Sequence, residues 1–269
     1  MAGDLRRLVR AYPALLRIGF QESIAYRAEF IVWMLSMTMP LVMLALMSAV
    51  SRDAPLGRFD SPTFTAYYLV TLVVRQMTGA WVMWEIVREI REGTLAMRLL
   101  RPVHPLAAHS AESLAAIPLR AAFSLPISLL ALWLAGREHI SHDPIVISAF
   151  VVSLVGAWLL NFSVSAIVGT LALYLESSIA IWEIWLGGFM LFSGYLVPLE
   201  LFPPWIEKIA RLLPFAYLQA LPVEMLTGLR SRTDALWGLF WQWVYAGSAV
   251  AVMLLFWRRA TARFAAYGG

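Results

Sequence analysis

Three charges, Arg75, Arg120 and Glu183, interrupt stretches of sequence that are otherwise apolar. A charged side chain at the centre of a bilayer costs about 2.5–3.5 kcal/mol on insertion scales, so a residue kept there has a role in a path, at an interface or in an internal pair. Outside those stretches, Glu85, Glu89 and Glu92 recur on one helical face with Arg88 and Arg91 beside it, and Gly93-Thr94-Leu95 follows. Nucleophile and metal chemistry find little support. The chain has no cysteine, and His104, His109, His139 and His142 are scattered through connecting segments. An intramembrane enzyme would need paired Asp, a His/Glu cluster or a Ser beside its base, and no such set converges. A P-loop requires Gly-Lys-Ser/Thr, whereas the only lysine, Lys208, sits in Glu-Lys-Ile. No catalytic residue, metal ligand or cofactor-binding residue is expected in this chain.

The elements that would position these residues follow from composition. Of 269 residues, 61% are apolar and 14% charged, against about 45–50% and 25% in soluble domains. That excess cannot be hidden inside a soluble sphere and must face lipid. A hydrocarbon core of about 30 Å needs about 20 helical residues. Six runs qualify, at about 30–51, 61–84, 114–136, 144–175, 177–197 and 235–257. Trp84, Trp133, Trp182, Trp237 and Trp257 lie near their ends, at headgroup level. The expected fold is an all-α membrane protein with six transmembrane helices in a single transmembrane domain. The run from Pro144 is longer than one perpendicular crossing, so it tilts, kinks near Gly156 or Gly169, or protrudes.

Residues 1–26 lack the compact apolar region and small-residue cleavage site of a secretory signal. Leu5, Leu8, Val9, Tyr12, Leu15 and Leu16 recur at helical spacing opposite arginines, although Pro13 interrupts them, which predicts an N-terminal interfacial helix. With six spans, twelve basic residues fall on the side of the termini and seven on the other. Both termini are therefore expected in the cytoplasm. The formal charge of +4 reflects this asymmetry rather than nucleic acid, because no arginine cluster lies away from the apolar runs.

Two connections are long enough to carry function. In the cytoplasmic one, 85–113, the second span should run on as a charged helix that Gly93 ends in a left-handed conformation. Thr94 should then cap a short helix, Leu95 to Leu100, before Arg101-Pro102 forces an extended exit. Leu95, Leu99 and Leu100 would be exposed, as a partner surface or as a loop lying on the protein's own helix ends. The outer one, 198–232, holds Pro203, Pro204, Trp205, Pro214 and Phe215 among segments too short to span, which read as re-entrant or interfacial helices.

The order Arg-Glu-Ile-Arg-Glu-Gly-Thr-Leu, Leu99-Leu100-Arg101-Pro102, Ser193-Gly194-Tyr195-Leu196-Val197-Pro198-Leu199, Phe202-Pro203-Pro204-Trp205 and Leu213-Pro214-Phe215 resembles the membrane subunits of ABC-2-type exporters. More narrowly, it is similar to six-span bacterial permeases encoded with a separate ATPase and often a second permease. The resemblance implies a multi-pass protein of the bacterial cytoplasmic (inner) membrane. It would form a dimeric path with an identical or related permease chain, driven by ABC ATPase subunits that hold ATP and Mg. By position, Glu89, Arg91, Glu92, Gly93, Thr94, Leu95, Leu99, Leu100, Arg101 and Pro102 would be the ATPase-coupling segment. The outer re-entrant element would carry Pro203, Pro204, Trp205, Pro214 and Phe215. Arg75, Glu183, Gly187 and Gly188 are pathway or interface candidates, with packing inside the subunit as the competing role for Arg75 and the glycines. An ion-coupled secondary transporter would show related halves with acidic sites at mid-membrane. No internal repeat is visible, and the fifth span alone holds an acid. The family exports lipids, amphipathic drugs, hydrophobic natural products and polysaccharides, and the residues do not choose among them.

Overall fold

The computed structural model describes residues 2–25, 38–52, 54–135, 137–175 and 177–267. Among these residues the extended elements are helices, joined by single-turn 3-10 segments at Arg137–His139 and Leu199–Leu201. α1 (Ala2–Ala25) continues through Pro13. α2 (Met39–Val50) and α3 (Ser61–Thr78) precede α4 (Val82–Arg91) and the five-residue α5 (Leu95–Leu99). α6 (Pro105–Ala115), α7 (Ile117–Ala135), α8 (Pro144–Leu171) and α9 (Ser178–Phe192) follow. Three short helices, α10 (Pro204–Leu212), α11 (Pro214–Leu218) and α12 (Ala220–Leu226), lead into the terminal α13 (Arg232–Tyr267).

α3 is the centre of the molecule. It starts where Asp60 accepts a hydrogen bond from the Thr63 amide at 2.9 Å, an ordinary N-cap, with Pro62 in the first turn where no amide is needed. Tyr67, Leu69, Val70, Leu72 and Val74 are buried all round the helix, so α2 and α7 cover one side and α8 and α12 the other. Phe59, Phe64, Tyr67 and Tyr68 form a chain of ring contacts at its N-terminal end. The hydroxyls of Tyr67 and Tyr68 donate to the carbonyls of Gly194 and Leu196, each at 2.7 Å, which ties the irregular segment after α9 to α3.

α8 is the second organising element. Gly169 lets α4 come so close that a Cβ there would lie 3.1 Å from Met83 Cα. Gly156 likewise accommodates Gln242 of α13, whose amide donates to the carbonyls of Ser153 and Tyr217. α1 packs along α6: a Cβ on Gly19 would lie 3.0 Å from Ala115 Cβ, and the Tyr12 and Ser110 hydroxyls are 3.0 Å apart.

This is an all-α membrane protein. Among the described residues, Pro105–Leu134, Pro144–Leu171 and Arg232–Arg263 are long and apolar enough to cross a bilayer, and Met39–Val50 and Ser178–Phe192 are shorter apolar helices. Leu129, Leu130, Trp133 and Leu134 of α7, and Trp237, Phe240, Val252 and Leu255 of α13, are exposed in bands that suit lipid. The expected runs are modified in three places. The first eight residues of the first run, 30–37, lie outside the described residues. The second is broken between Thr78 and Val82 into α3 and α4. The fifth ends as helix at Phe192, and 193–198 is irregular backbone held by the two tyrosines.

Candidate functional site

The break between α3 and α4 frees backbone acceptors inside the apolar layer, where each needs a partner. Asn161 of α8 donates to the Thr78 carbonyl at 2.9 Å, a hydrogen bond that packs the two helices together. Arg120 of α7 donates to the Gly79 carbonyl at 2.7 Å. Arg120 is one of the three charges that interrupt the apolar runs. It is buried, because the unpaired carbonyl offers a nearer partner than water.

Beyond the break, α4 buries Val82, Met83, Ile86 and Val87 against α8 and turns its charged face outward. Gly93 has φ +73°, the left-handed conformation expected at this helix end. Thr94 precedes α5 but does not cap it; its hydroxyl lies 3.5 Å from the Glu89 carbonyl. The leucines also divide differently from expectation. Leu95 is fully buried among Ile86, Leu106 and Trp257, and Leu99 is half-buried against the same cluster. Leu100 and Met97 are 80% and 67% exposed, so the outward apolar edge of α5 is Met97–Leu100. A helix of five residues shows its face only by its contacts: one turn points inward and its neighbours must point out.

An ion-pair network that the spacing did not reveal holds α5 in place. Glu89, expected on the solvent face, is buried, and its Oε1 accepts from Arg98 Nε at 2.8 Å. Arg98 also reaches Glu112 of α6 at 3.1 Å, and the buried His109 stands between the two acids, 3.5 Å from Glu89 and 3.2 Å from Glu112. The i, i+3 spacing of His109 and Glu112 was the readable part; nothing in the chain pointed to Arg98 as their bridge. Glu85 pairs with Arg88 on the exposed side. A cleft of about 300 Å³ opens between the end of α4 and α5, lined by Arg88, Glu89, Glu92, Thr94, Met97, Arg98 and Arg101. Arg91 and Pro102 are exposed beside it.

In the membrane layer, the Arg75 guanidinium stacks over Phe189 at 4.7 Å and near Tyr195 at 5.8 Å, with no carboxylate partner among the described residues. Glu183 is exposed on α9, as are Ile184 and Leu191. A Cβ on Gly187 would meet open space, whereas one on Gly188 would lie 2.7 Å from the Phe215 ring. Gly188 therefore serves packing inside the subunit, and Gly187 faces outward.

In the connection before α13, Pro204 and Pro214 stand in the first turns of α10 and α11, where a missing amide costs nothing. Pro203 precedes α10 in extended conformation. α10 exposes Trp205, Ile209 and Leu212 at helical spacing and turns Arg211 inward. Phe215 packs on Trp185 with ring centroids 4.5 Å apart. The buried Glu224 of α12 accepts from Arg211 Nη1 at 3.0 Å and Arg230 Nε at 2.6 Å. Burial alone would raise its pKa, but the two guanidiniums outweigh that and hold it below the usual carboxylate range. Arg58 pairs with Glu200 and donates to the Leu229 carbonyl, tying the α2–α3 connection to this region. No group of three His, Asp or Glu that could hold a metal occurs among the described residues.

A family model described as ABC-2 family transporter protein matches residues 35–268. No curated protein matches the chain.

Proposed function

The chain belongs to the ABC-2 transporter family, and from that premise we propose that it is the permease of an exporter whose ATP hydrolysis resides on separate cassette subunits docked at α5. It is a multi-pass membrane protein and a transport subunit rather than an enzyme. The observation that carries the docking assignment is α5 itself. Its outward edge, Met97 and Leu100, is apolar and exposed, while its inward side is fastened by Leu95 and the Arg98 bridge to α4, α6 and α8. A partner that pushes on this edge pushes on the transmembrane helices. ATP and Mg belong to that partner, since the chain has no Gly-Lys-Ser/Thr.

In this reading six spans cross the bacterial inner membrane with both termini in the cytoplasm, the side with the more arginines. The connection 198–232, with its short proline-started helices, forms the outer mouth. A second permease chain, identical or related, completes the path, and the exposed apolar strips of α2 (Val42, Leu46, Val50) and α9 suit that contact. The test is co-purification of the permease with its cassette ATPase. Met97→Asp and Leu100→Asp should each weaken the complex about tenfold or more, since each buries a charge in an apolar contact, while membrane insertion is unchanged. A complex undiminished in both variants overturns the docking site.

A further inference from the structure

α3 carries a polar face that the coupling mechanism does not use. Thr71 and Arg75 are one turn apart on the same side of the helix. The Arg75 guanidinium lies over the Phe189 ring, beside Tyr195, and has no acidic partner among the described residues. Gln219, between α11 and α12, donates to the Thr71 carbonyl at 2.9 Å. Its own Oε1 and the Thr71 Oγ1 are buried without a hydrogen-bond partner. Arg120, the other cation in this layer, serves the Gly79 carbonyl at 2.7 Å. Among the described residues, neither of these two cations has an acidic partner, and orphaned oxygens lie beside Arg75. Both features are costly in hydrocarbon unless a ligand of opposite charge meets them.

Resting on the permease reading above, we propose that Arg75 and Thr71 form a binding site for the anionic headgroup of an amphiphile. A phosphate or carboxylate meets the planar donors of Arg75 and the Thr71 hydroxyl, a headgroup hydroxyl donates to Gln219 Oε1, and the tail runs along the Phe189 side. The guanidinium fork supplies paired donors to such an oxyanion, and the aromatic faces accept the apolar part. The same chemistry occurs in an anionic bilayer lipid and in an exported amphiphile.

The experiment uses the full chain in nanodiscs of phosphatidylcholine with a minor fraction of phosphatidylglycerol, and native mass spectrometry of the lipid it retains. The wild type should select phosphatidylglycerol at least tenfold, Arg75→Gln should reduce that selection to less than twofold, and Arg75→Lys should keep part of it. Equal selection by wild type and Arg75→Gln overturns the site. If the glutamine variant does not fold, displacement is measured on the wild type with decyl phosphate against decyl maltoside, and equal potency of the two overturns it. With the cassette ATPase bound, loss of the retained lipid during ATP turnover identifies cargo and persistence identifies a bilayer lipid; either supports the site. Selection is read on the permease alone, so failure of cassette docking leaves this result standing, and the reverse holds.

Discussion

Replacing Glu89 by Gln removes one charge from the bridge that fastens α5. The Glu89 side chain is 10% exposed and that of Arg98 18%, with 2.8 Å between them. Removing one partner of a fully enclosed pair costs about 3–5 kcal/mol, because the survivor is left as an uncompensated charge. Here Arg98 keeps Glu112 at 3.1 Å and some contact with water, so the loss falls well below that range. About 1.4 kcal/mol, or tenfold in the local opening of α5, is the expected size. Trypsin reads this opening directly, because the bond after Arg98 becomes accessible only when α5 leaves its seat. When reclosing is faster than cutting, the cleavage rate follows the open population. The detergent-solubilised variant should therefore be cut after Arg98 about tenfold faster than the wild type, with cleavage after the exposed Arg258 unchanged. Leu95→Ala, which empties a fully buried position, should accelerate the same cut further. An unchanged rate in Glu89→Gln would show that the ion pair does not hold α5.

Two further outcomes follow from the ends of the molecule. Because the chain lacks cysteine, single substitutions report sidedness: Met97→Cys should be shielded from an impermeant maleimide in intact cells and Ser231→Cys should react, and the reverse pattern would invert the topology. Glu224→Gln should lower the stability of the solubilised protein by about 3 kcal/mol at pH 7. The wild-type carboxyl is depressed in the folded state, so its contribution is full above the ordinary value of about 4.5 and is lost as pH falls through the lowered folded value. The gap between wild-type and variant unfolding temperatures should therefore close on acidification below that point, and a gap independent of pH would refute the assignment.

The family and the helical end at Gly93 were legible because they depend on local order: a charged amphipathic run, then glycine, then a short apolar turn. The partition of Leu95 from Leu100 was not, since five residues are too few for a period to choose a face. The Thr78–Val82 break also left no mark. Its residues are Gly79-Ala80-Trp81, with no proline, and the side chains that make the break tolerable, Asn161 and Arg120, come from other spans. Arg120 illustrates the difficulty: a charge near the edge of an apolar run reads as a headgroup contact until the carbonyl it serves is located. The Glu89–Arg98–Glu112 bridge and the Tyr67 and Tyr68 anchors join residues far apart in the chain, so periodicity carried no trace of them.

The close seat of α4 on Gly169 has a mechanical consequence. A methyl group on Gly169 would press within 3.1 Å of the Met83 backbone, so a movement of one helix at that point bears directly on the other. Torque applied to α5 and passed up α4 is therefore delivered to the C-terminal end of α8. That helix is 28 residues long with no proline beyond its first turn, a stiff rod of about 42 Å. Its far end lies beside α12, where Val146 packs with Leu221 and Met225. One continuous helix thus links the α4 contact to α12. A tilt of about 5° at its C-terminal end displaces its far end by about 3.7 Å over that length, comparable with the width of a water molecule.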